Sequence, residues 1–254
     1  MTDSQTQTLK VTWDYTDLAA SYDKRADYAR EAIVSMLNTM GLTEGDVVAD
    51  VGAGTAKLTK ELLASGLTVH AVEPNDAMRG FGIQNTEGQK VTWYKGTGEE
   101  TTLDNNKVKA VFFGSSFNVV DKAAALAEAK RVGEDGAWFA CMWNHRDLDD
   151  PIQQKVEAII KNAIDGYDYG DRRADQTEIL KASGHFNEVH HAEGTIYNDI
   201  SVEDYIEAWR SHGTLQRQAG DNFHQIIDEI SALLADQQTI SVPYQTRIWF
   251  GQLV

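Results

Sequence analysis

The chain has 254 residues, 42% of them hydrophobic, and a formal net charge of −16 at pH 7. This apolar content is typical of a folded globular protein and argues against disorder. An acidic chain is also unsuited to a nucleic-acid or anionic membrane surface, because both need clustered lysine and arginine. The single cysteine, Cys141, excludes an internal disulfide and a multi-thiolate metal site.

The sequence contains no pattern that predicts a membrane or secretory location. Residues 1–8 are polar and lack the apolar core of a signal peptide. No run approaches the roughly 20 apolar residues that span a bilayer. We therefore expect a cytoplasmic protein with neither a membrane nor a nucleic-acid partner.

The first half of the chain alternates apolar strands with helical patterns. Helices are predicted over 28–40, with Gly41 placed to end the first, and over 121–131. Strands are predicted at 47–51, 67–73, 91–95, 108–113 and 137–143, the last after a turn at 133–136. Such alternation is typical of βαβ units, so we predict a parallel sheet covered by helices on both faces.

The second half is less regular. Apolar spacing predicts helices over 152–163, 202–209 and 223–234, strands at 188–197 and 244–254, and a loop at 166–173. No repeat or proline-rich linker divides the chain. We therefore predict one domain over residues 1–254, with a cofactor-binding core at 13–147 and helical cap insertions for the substrate at 148–184 and 200–238.

Residues 47–57 combine a buried strand, a glycine-rich turn and the start of a helix. Glycine lacks a Cβ and tolerates positive φ, so the backbone at Gly52 and Gly54 can approach a ligand closely. The dinucleotide fingerprint would need a third glycine where Lys57 stands. Glu73, 19 residues beyond Gly54, has the spacing of a carboxylate that accepts ribose hydroxyls. The loop therefore predicts an adenosine-type cofactor without requiring a pyrophosphate.

Three segments resemble the motifs of class I S-adenosylmethionine-dependent methyltransferases: residues 50–55, 70–78 and 96–100. Residues 142–147 and 243–246 are similar to a small-molecule branch of that family, the trans-aconitate methyltransferases. The resemblance implies a Rossmann-like, mostly parallel seven-stranded sheet with helices on both faces and a helical cap insertion. It also implies S-adenosylmethionine as the cofactor and a small molecule as the acceptor.

The resemblance further implies roles for individual residues. Asp50 would orient the glycine loop and the cofactor's amino group, and Glu73 would accept the ribose hydroxyls. Tyr22 and Arg25 resemble residues that close over the cofactor carboxylate. The complete predicted cofactor-binding set is Tyr22, Arg25, Asp50, Gly52, Ala53, Gly54, Glu73, Pro74, Met78, Gly98, Glu99 and Ser115.

The chain departs from the related branch near the reacting end. Where that branch often has a histidine, this chain has Asn118, whose amide forms hydrogen bonds but cannot act as a general base near pH 7. His145, after the fifth strand, is the first candidate for a base, and Asn118 is the second catalytic candidate. No pattern has metal-ligand spacing. The predicted substrate contacts are Phe117, Trp143, Arg146, Tyr167, Tyr169, Arg172 and Arg173, of which the basic ones would suit a carboxylate or phosphate.

These patterns predict methyl transfer from S-adenosylmethionine to a small molecule. O-methylation of an acid is the first expectation, and N- or C-methylation follows closely. One alternative is a lyase or cyclase that binds the same cofactor without transferring a methyl group. Another is a nicotinamide oxidoreductase, which Lys57 disfavours. The acceptor stays open, and we expect a monomer or a homodimer.

Overall fold

The computed structural model describes residues 26–254. In this part of the chain, seven strands form one sheet. They are β1 Val47–Val51, β2 Thr68–Val72, β3 Val91–Tyr94, β4 Val108–Gly114, β5 Gly133–Arg146, β6 His190–Ser201 and β7 Thr239–Gln252. Their order across the sheet is β3-β2-β1-β4-β5-β7-β6. Strands β1 to β5 pair in parallel, whereas β7 runs antiparallel to both of its neighbours.

Helices connect these strands and cover both faces of the sheet. They are α1 Arg30–Met40, α2 Lys57–Ala64, α3 Asp76–Asn85, α4 Lys122–Val132, α5 Pro151–Ala163, α6 Thr177–Ala182, α7 Val202–Arg210, α8 Gly213–Ala219 and α9 Phe223–Leu233, all in residues 26–254. Short polar side chains cap the N-termini of several helices. Asn75 and Asp121 each accept a hydrogen bond from a backbone N–H in the first turn of the helix that follows. Asp150 does the same where Pro151 opens α5.

Alternation along β4 divides the core between the two faces of the sheet. Ala110 and Phe112 pack with α1 and α2 on one face, and Val111 and Phe113 pack with α4 on the other. This pattern is that of a parallel sheet buried on both sides. The predicted Rossmann-like fold class is therefore confirmed.

A third apolar cluster joins α5, α7, α8 and α9 to the start of β7. It forms a helical layer beside the sheet, in the region expected to be a cap. Helix α6 also falls in that expected region, but its Leu180 packs in the core of the sheet. The division into core and cap stays a prediction.

Several element boundaries differ from expectation. The turn predicted at 133–136 is the first part of β5, where the pairing with β4 is irregular between Val108 and Ala110 and Gly136 has a φ of +75°. Strand β7 begins at Thr239, five residues earlier than predicted, because its start pairs with the end of β6. Within residues 26–254, no helix has the length and apolar character needed to cross a membrane.

The sheet order reverses between β1 and β4. The loops that leave the carboxyl ends of these strands therefore diverge and open a crevice, which is where parallel α/β sheets bind ligands. The segment that follows β1 is the glycine loop.

Candidate active site

A cavity of about 860 Å³ occupies this crevice, between the carboxyl ends of the strands and the helical layer. Most of the predicted cofactor residues line it, namely Gly52, Ala53, Gly54, Glu73, Pro74, Met78, Gly98, Glu99 and Ser115. Predicted residues from the other end of the site that also line it are His145, Arg146, Tyr169, Arg172 and Arg173. The cavity therefore brings together segments that lie far apart in the sequence.

The glycine loop requires glycine at its first position for two reasons. Gly52 has a φ of +71°, which disfavours other L-residues. A Cβ on Gly52 would also lie 2.5 Å from Cβ of Ser116, whose hydroxyl donates to the carbonyl oxygen of Val51 at 2.7 Å. The backbone of the loop after β1 thus packs directly against the Ser116 side chain in the loop after β4. No space remains for a methyl group on residue 52.

Glu73 links the end of β2 to the glycine loop. Its Oε2 accepts the backbone N–H of Gly54 at 3.0 Å, and its Oε1 accepts that of Asn75 at 2.8 Å. Burial raises the pKa of Glu73, while these two N–H groups oppose that rise. Each carboxylate oxygen keeps a second lone pair, so Glu73 can accept further hydrogen bonds from a ligand in the cavity.

Asp50 lies near the end of β1, outside the cavity lining. Its side chain is completely buried and does not line the cavity. Oδ2 accepts the hydroxyl of Thr59 at 2.6 Å, whereas Oδ1 is buried without a partner among the described residues. Burial, with a smaller contribution from the charge of Glu73, raises the pKa of Asp50 to about 7. Asp50 is therefore not part of the cavity wall, and its predicted role toward the cofactor stays a prediction.

The next wall is formed by the loops after β3 and β4. A Cβ on Gly98 would lie 2.7 Å from Cγ1 of Val120, so this backbone passes close to the opposite loop. Glu99 lines the cavity, but its Oε1 accepts the N–H of Asp121 at 2.8 Å and so supports the start of α4. Ser115 has a φ of +59°, and its hydroxyl lies 2.9 Å from that of Tyr28.

His145 lies at the other end of the cavity, near the end of β5. Its Nε2 is 2.7 Å from the carbonyl oxygen of Arg172. Because a carbonyl only accepts, Nε2 carries the proton and Nδ1 keeps the lone pair. Burial and the neighbouring Arg173 guanidinium lower the pKa of His145 to about 3. The predicted base is therefore a neutral imidazole of low basicity at physiological pH.

Four other predicted residues do not line the cavity. Phe117 is fully buried against Phe113 and Phe139 in the core of the sheet. Trp143 is also buried, and its Nε1 donates to Oδ1 of Asn118 at 2.9 Å, which engages both side chains with each other. The Tyr167 ring packs edge-on behind Tyr169 at 5.0 Å. Phe117, Trp143, Tyr167 and Asn118 therefore lie outside the cavity lining, and the substrate and catalytic roles expected of them stay predictions.

Sequence reasoning missed other lining residues, including Asn75, Ser116, Ala208, His212 and Tyr244. Tyr244 lies in a segment that the family resemblance had singled out, although without a role. Ala208 and His212 belong to a helical region whose local pattern predicts only packing, so no local signal identified them. Tyr22 and Arg25, predicted to close over the cofactor, lie outside the described residues.

Residues 49–141 match the family model described as a methyltransferase domain. This range contains the glycine loop, Glu73 and Gly98. An uncharacterized methyltransferase of Mycobacterium tuberculosis strain H37Rv is 39% identical over 100 residues, which are 39% of this chain and 40% of that protein. The matched stretch therefore spans less than half of this curated relative.

Solved structures of methyltransferases share the fold. A candidate type II methyltransferase from Anaeromyxobacter dehalogenans superposes with a TM-score of 0.64 at 19% identity, covering 90% of this chain and 97% of that one. Phosphoethanolamine N-methyltransferase 2 of Haemonchus contortus, in complex with phosphomonomethylethanolamine and S-adenosylhomocysteine, gives 0.54 at 11% identity. That superposition covers 92% of this chain and 56% of the other. At sequence identities of 19% and 11%, these superpositions show a shared fold and nothing further about function.

Proposed function

We propose that this protein transfers a methyl group from S-adenosylmethionine to a small-molecule acid. The observation that carries the proposal is the pairing of Glu73 with the Gly52–Gly54 loop on the floor of the cavity. A carboxylate that keeps free lone pairs suits the ribose hydroxyls, and two glycines without a Cβ, Gly52 and Gly54, leave room for the methionine part of the cofactor. The match of residues 49–141 to a methyltransferase domain supports the same cofactor.

The residues around the loop fit this cofactor. Gly52 and Gly54 would approach it with their backbone, Glu73 would hold its ribose, and Met78 with Gly98 would face its adenine. When bound, the sulfonium supplies an electrophilic methyl group whose transfer neutralises the donor's positive charge. The chain's own task is to align the acceptor with that methyl group and to exclude water.

The acceptor end favours a nucleophile that is already ionised. His145 has its pKa lowered to about 3, so it is a weak base. Burial raises the pKa of Tyr169, so its hydroxyl stays protonated near neutral pH and donates to Glu157. A carboxylate needs no base, whereas an ammonium or a carbon acid must first lose a proton. We therefore infer O-methylation of a carboxylic acid in preference to N- or C-methylation.

The finer predictions remain predictions. We predict that the chain belongs with the trans-aconitate methyltransferases and that the protein is cytoplasmic. We also predict that its partner is a small molecule, that it binds neither nucleic acid nor a membrane, and that it is a monomer or a homodimer. The reaction products distinguish a methyltransferase from a lyase or cyclase that uses the same cofactor. Only methyl transfer releases S-adenosylhomocysteine together with a methylated acceptor.

Calorimetry with S-adenosylhomocysteine tests the cofactor, and we expect saturable binding to one site per chain. Incubation with S-adenosylmethionine and a panel of carboxylic acids, amines and phenols then tests the reaction. We expect S-adenosylhomocysteine and a methyl ester from acids alone. Binding of NAD(P)H without affinity for S-adenosylhomocysteine would contradict the proposed cofactor. Methylation of amines alone would contradict the proposed carboxylic acid acceptor.

A further inference from the structure

Asn144 and Thr246 stand directly opposite each other on the antiparallel strands β5 and β7. Neither residue was among the predicted site residues. We propose that both are positioning residues, which hold the Tyr28 hydroxyl at the amino-acid end of the cofactor. This inference rests on the proposed S-adenosylmethionine site and specifies how one end of that cofactor is bound.

The Asn144 amide and the Thr246 hydroxyl form a chain of hydrogen bonds that ends on the backbone just before α1. Thr246 donates to Oδ1 of Asn144 at 2.9 Å, and its Oγ1 accepts the N–H of Ala29 at 2.7 Å. Because Oδ1 of Asn144 is the acceptor in this chain, Nδ2 faces the other way and donates to the carbonyl oxygen of Asp27 at 2.8 Å. The two side chains therefore bind the backbone on both sides of Tyr28.

Thr246 contributes most to holding this segment. Its side chain is completely buried, and its hydrogen bond to Ala29 is buried as well. Lys57 also contacts the segment, with Nζ 2.9 Å from Oδ1 of Asp27, but 51% of the Asp27 side chain is exposed. An exposed ion pair contributes little, whereas a buried N–H that loses its partner is costly. The path of the chain into α1 therefore depends mainly on Thr246.

The Tyr28 hydroxyl lies against the end of β4. Its oxygen is 2.9 Å from Oγ of Ser115. A Cβ on Gly114 would lie 3.0 Å from the same oxygen, so the hydroxyl packs closely on the backbone at this strand end. Tyr28 and Ser115 both line the cavity. The hydrogen bonds on either side of Tyr28 therefore place a phenol oxygen in the cavity wall above β4.

The order of the strands indicates which end of the cofactor meets this wall. Glu73 follows β2 and Gly98 follows β3, so the ribose and the adenine are expected on that side of β1. In S-adenosylmethionine the amino-acid chain leaves the ribose on the side opposite the adenine. It therefore extends past the glycine loop toward β4, the other neighbour of β1.

The chemistry of the two hydroxyls suits that end of the cofactor. The amino-acid end carries an ammonium and a carboxylate, and a hydroxyl group can both donate and accept hydrogen bonds. Fixing this end also fixes the neighbouring sulfur, and methyl transfer requires the sulfur, the methyl carbon and the acceptor to be aligned. Asn144 and Thr246 would therefore act on the reaction through Tyr28, without touching the reacting atoms.

The test compares two ligands that differ at the amino-acid end. S-adenosylhomocysteine carries the amino-acid chain, whereas 5′-methylthioadenosine keeps the adenosine and the thioether but has a methyl group in place of that chain. Calorimetry measures both affinities for the wild type and for Thr246→Val, which has nearly the same shape but lacks the hydroxyl. We expect Thr246→Val to weaken S-adenosylhomocysteine binding at least about tenfold and to change 5′-methylthioadenosine binding by less than about threefold. Asn144→Leu and Tyr28→Phe should change the ratio of the two affinities in the same direction.

Thr246→Ser is the conservative variant, because it keeps the hydroxyl, and it should retain the wild-type ratio of the two affinities. Thr239→Val and Tyr197→Phe are matched controls, since both residues are exposed and lie outside the cavity lining. Thermal melting and retained binding of 5′-methylthioadenosine show that a variant is folded. Asn144→Leu and Tyr28→Phe decide the question if Thr246→Val does not fold.

Equal weakening of both ligands in Thr246→Val would indicate a purely structural role and overturn the inference, and so would an unchanged ratio. A wild-type ratio in Tyr28→Phe would remove the Tyr28 hydroxyl from the site and overturn it as well. Glu73→Gln marks the difference from the proposed function, because loss of the ribose contact should weaken both ligands alike. Failure of the wild type to bind either ligand would contradict the proposed cofactor, and this inference with it.

Discussion

The carboxylate of Glu73 accepts the backbone N–H of Gly54 at 3.0 Å, so the end of β2 is bonded to the loop that follows β1. Its other oxygen accepts the N–H of Asn75, which begins α3. One side chain therefore fixes two loops of the cavity floor and keeps a lone pair on each oxygen for a ligand. This relationship makes Glu73 the most direct point at which to test the site.

Glu73→Gln should weaken S-adenosylhomocysteine binding by roughly 10- to 100-fold, the effect of losing a charge-assisted hydrogen bond. An amide places a donor where one carboxylate oxygen now accepts, so either the loop or the ribose loses its partner. Calorimetry measures the affinity. Asp76→Asn is the control, because Asp76 is exposed nearby and lies outside the cavity lining. Equal affinities for the two variants would remove Glu73 from the site.

Gly52→Ala should destabilise the fold and abolish cofactor binding. Positive φ costs an alanine about 1–2 kcal/mol, and overlap with Ser116 adds roughly 1–3 kcal/mol. Gly88→Ala isolates the first contribution, because Gly88 has a φ of +75° and no atom lies within 4 Å of the point that its Cβ would occupy. Urea denaturation measures the free energy of unfolding of both variants. If they lose the same stability, close packing at Gly52 is not the reason for glycine there.

Asp50→Asn should change how stability depends on pH. In the folded protein the Asp50 carboxyl keeps its proton up to about pH 7, whereas in the unfolded chain it loses it near 3.8. The folded state therefore binds the proton more tightly, and its stability falls as pH rises between these values. Relative to the D50N variant, the wild type should lose on the order of 2–3 kcal/mol from pH 5 to 8.

Urea denaturation of the wild type and the D50N variant at both pH values measures this change. The Asn side chain can still accept the Thr59 hydroxyl, which keeps the hydrogen bond seen at Asp50. A difference between the two proteins that stays constant with pH would show that Asp50 does not titrate in this range.

His145→Gln should leave kcat within about tenfold of the wild type, because burial makes the His145 imidazole a weak base. Loss of a general base would typically cost about 10²–10⁴-fold. The glutamine amide can still donate to the carbonyl of Arg172. The wild-type kcat should also be flat between about pH 6 and 9, since the pKa of His145 lies far below. His70→Gln, on β2 and outside the cavity lining, is the matched control. A kinetic pKa between 6 and 9 that disappears with His145 would restore it as the base.

Much of the cofactor end could be predicted because its signals are local in sequence. Strand, glycine turn and helix follow one another within residues 47–64, and each pattern needs only its own neighbours. Glu73 comes from the next strand, where a fixed βαβ geometry determines its distance from the loop. Even there, the complete burial of the Asp50 side chain could not be predicted, because it depends on how Thr59 packs against it.

The acceptor end could not be predicted to the same extent. Arg146 and Trp209 stack across a gap of 63 residues, and nothing in either local sequence indicates the other. Phe117 was predicted to contact the substrate because it belongs to the loop after the fourth strand, but its ring is buried against Phe113 and Phe139. His145 had the right position for a base, yet its basicity depends on burial and on arginines from another loop.

Local patterns predict the strands, the glycine loop and the acidic residue that faces it, because periodicity and glycine chemistry act over short stretches of chain. The packing of distant segments determines which arginines share one cavity, which aromatic rings belong to the core, and how weakly basic His145 is. Those properties depend on desolvation and on contacts between distant segments, and both arise only when the helical layer packs onto the sheet.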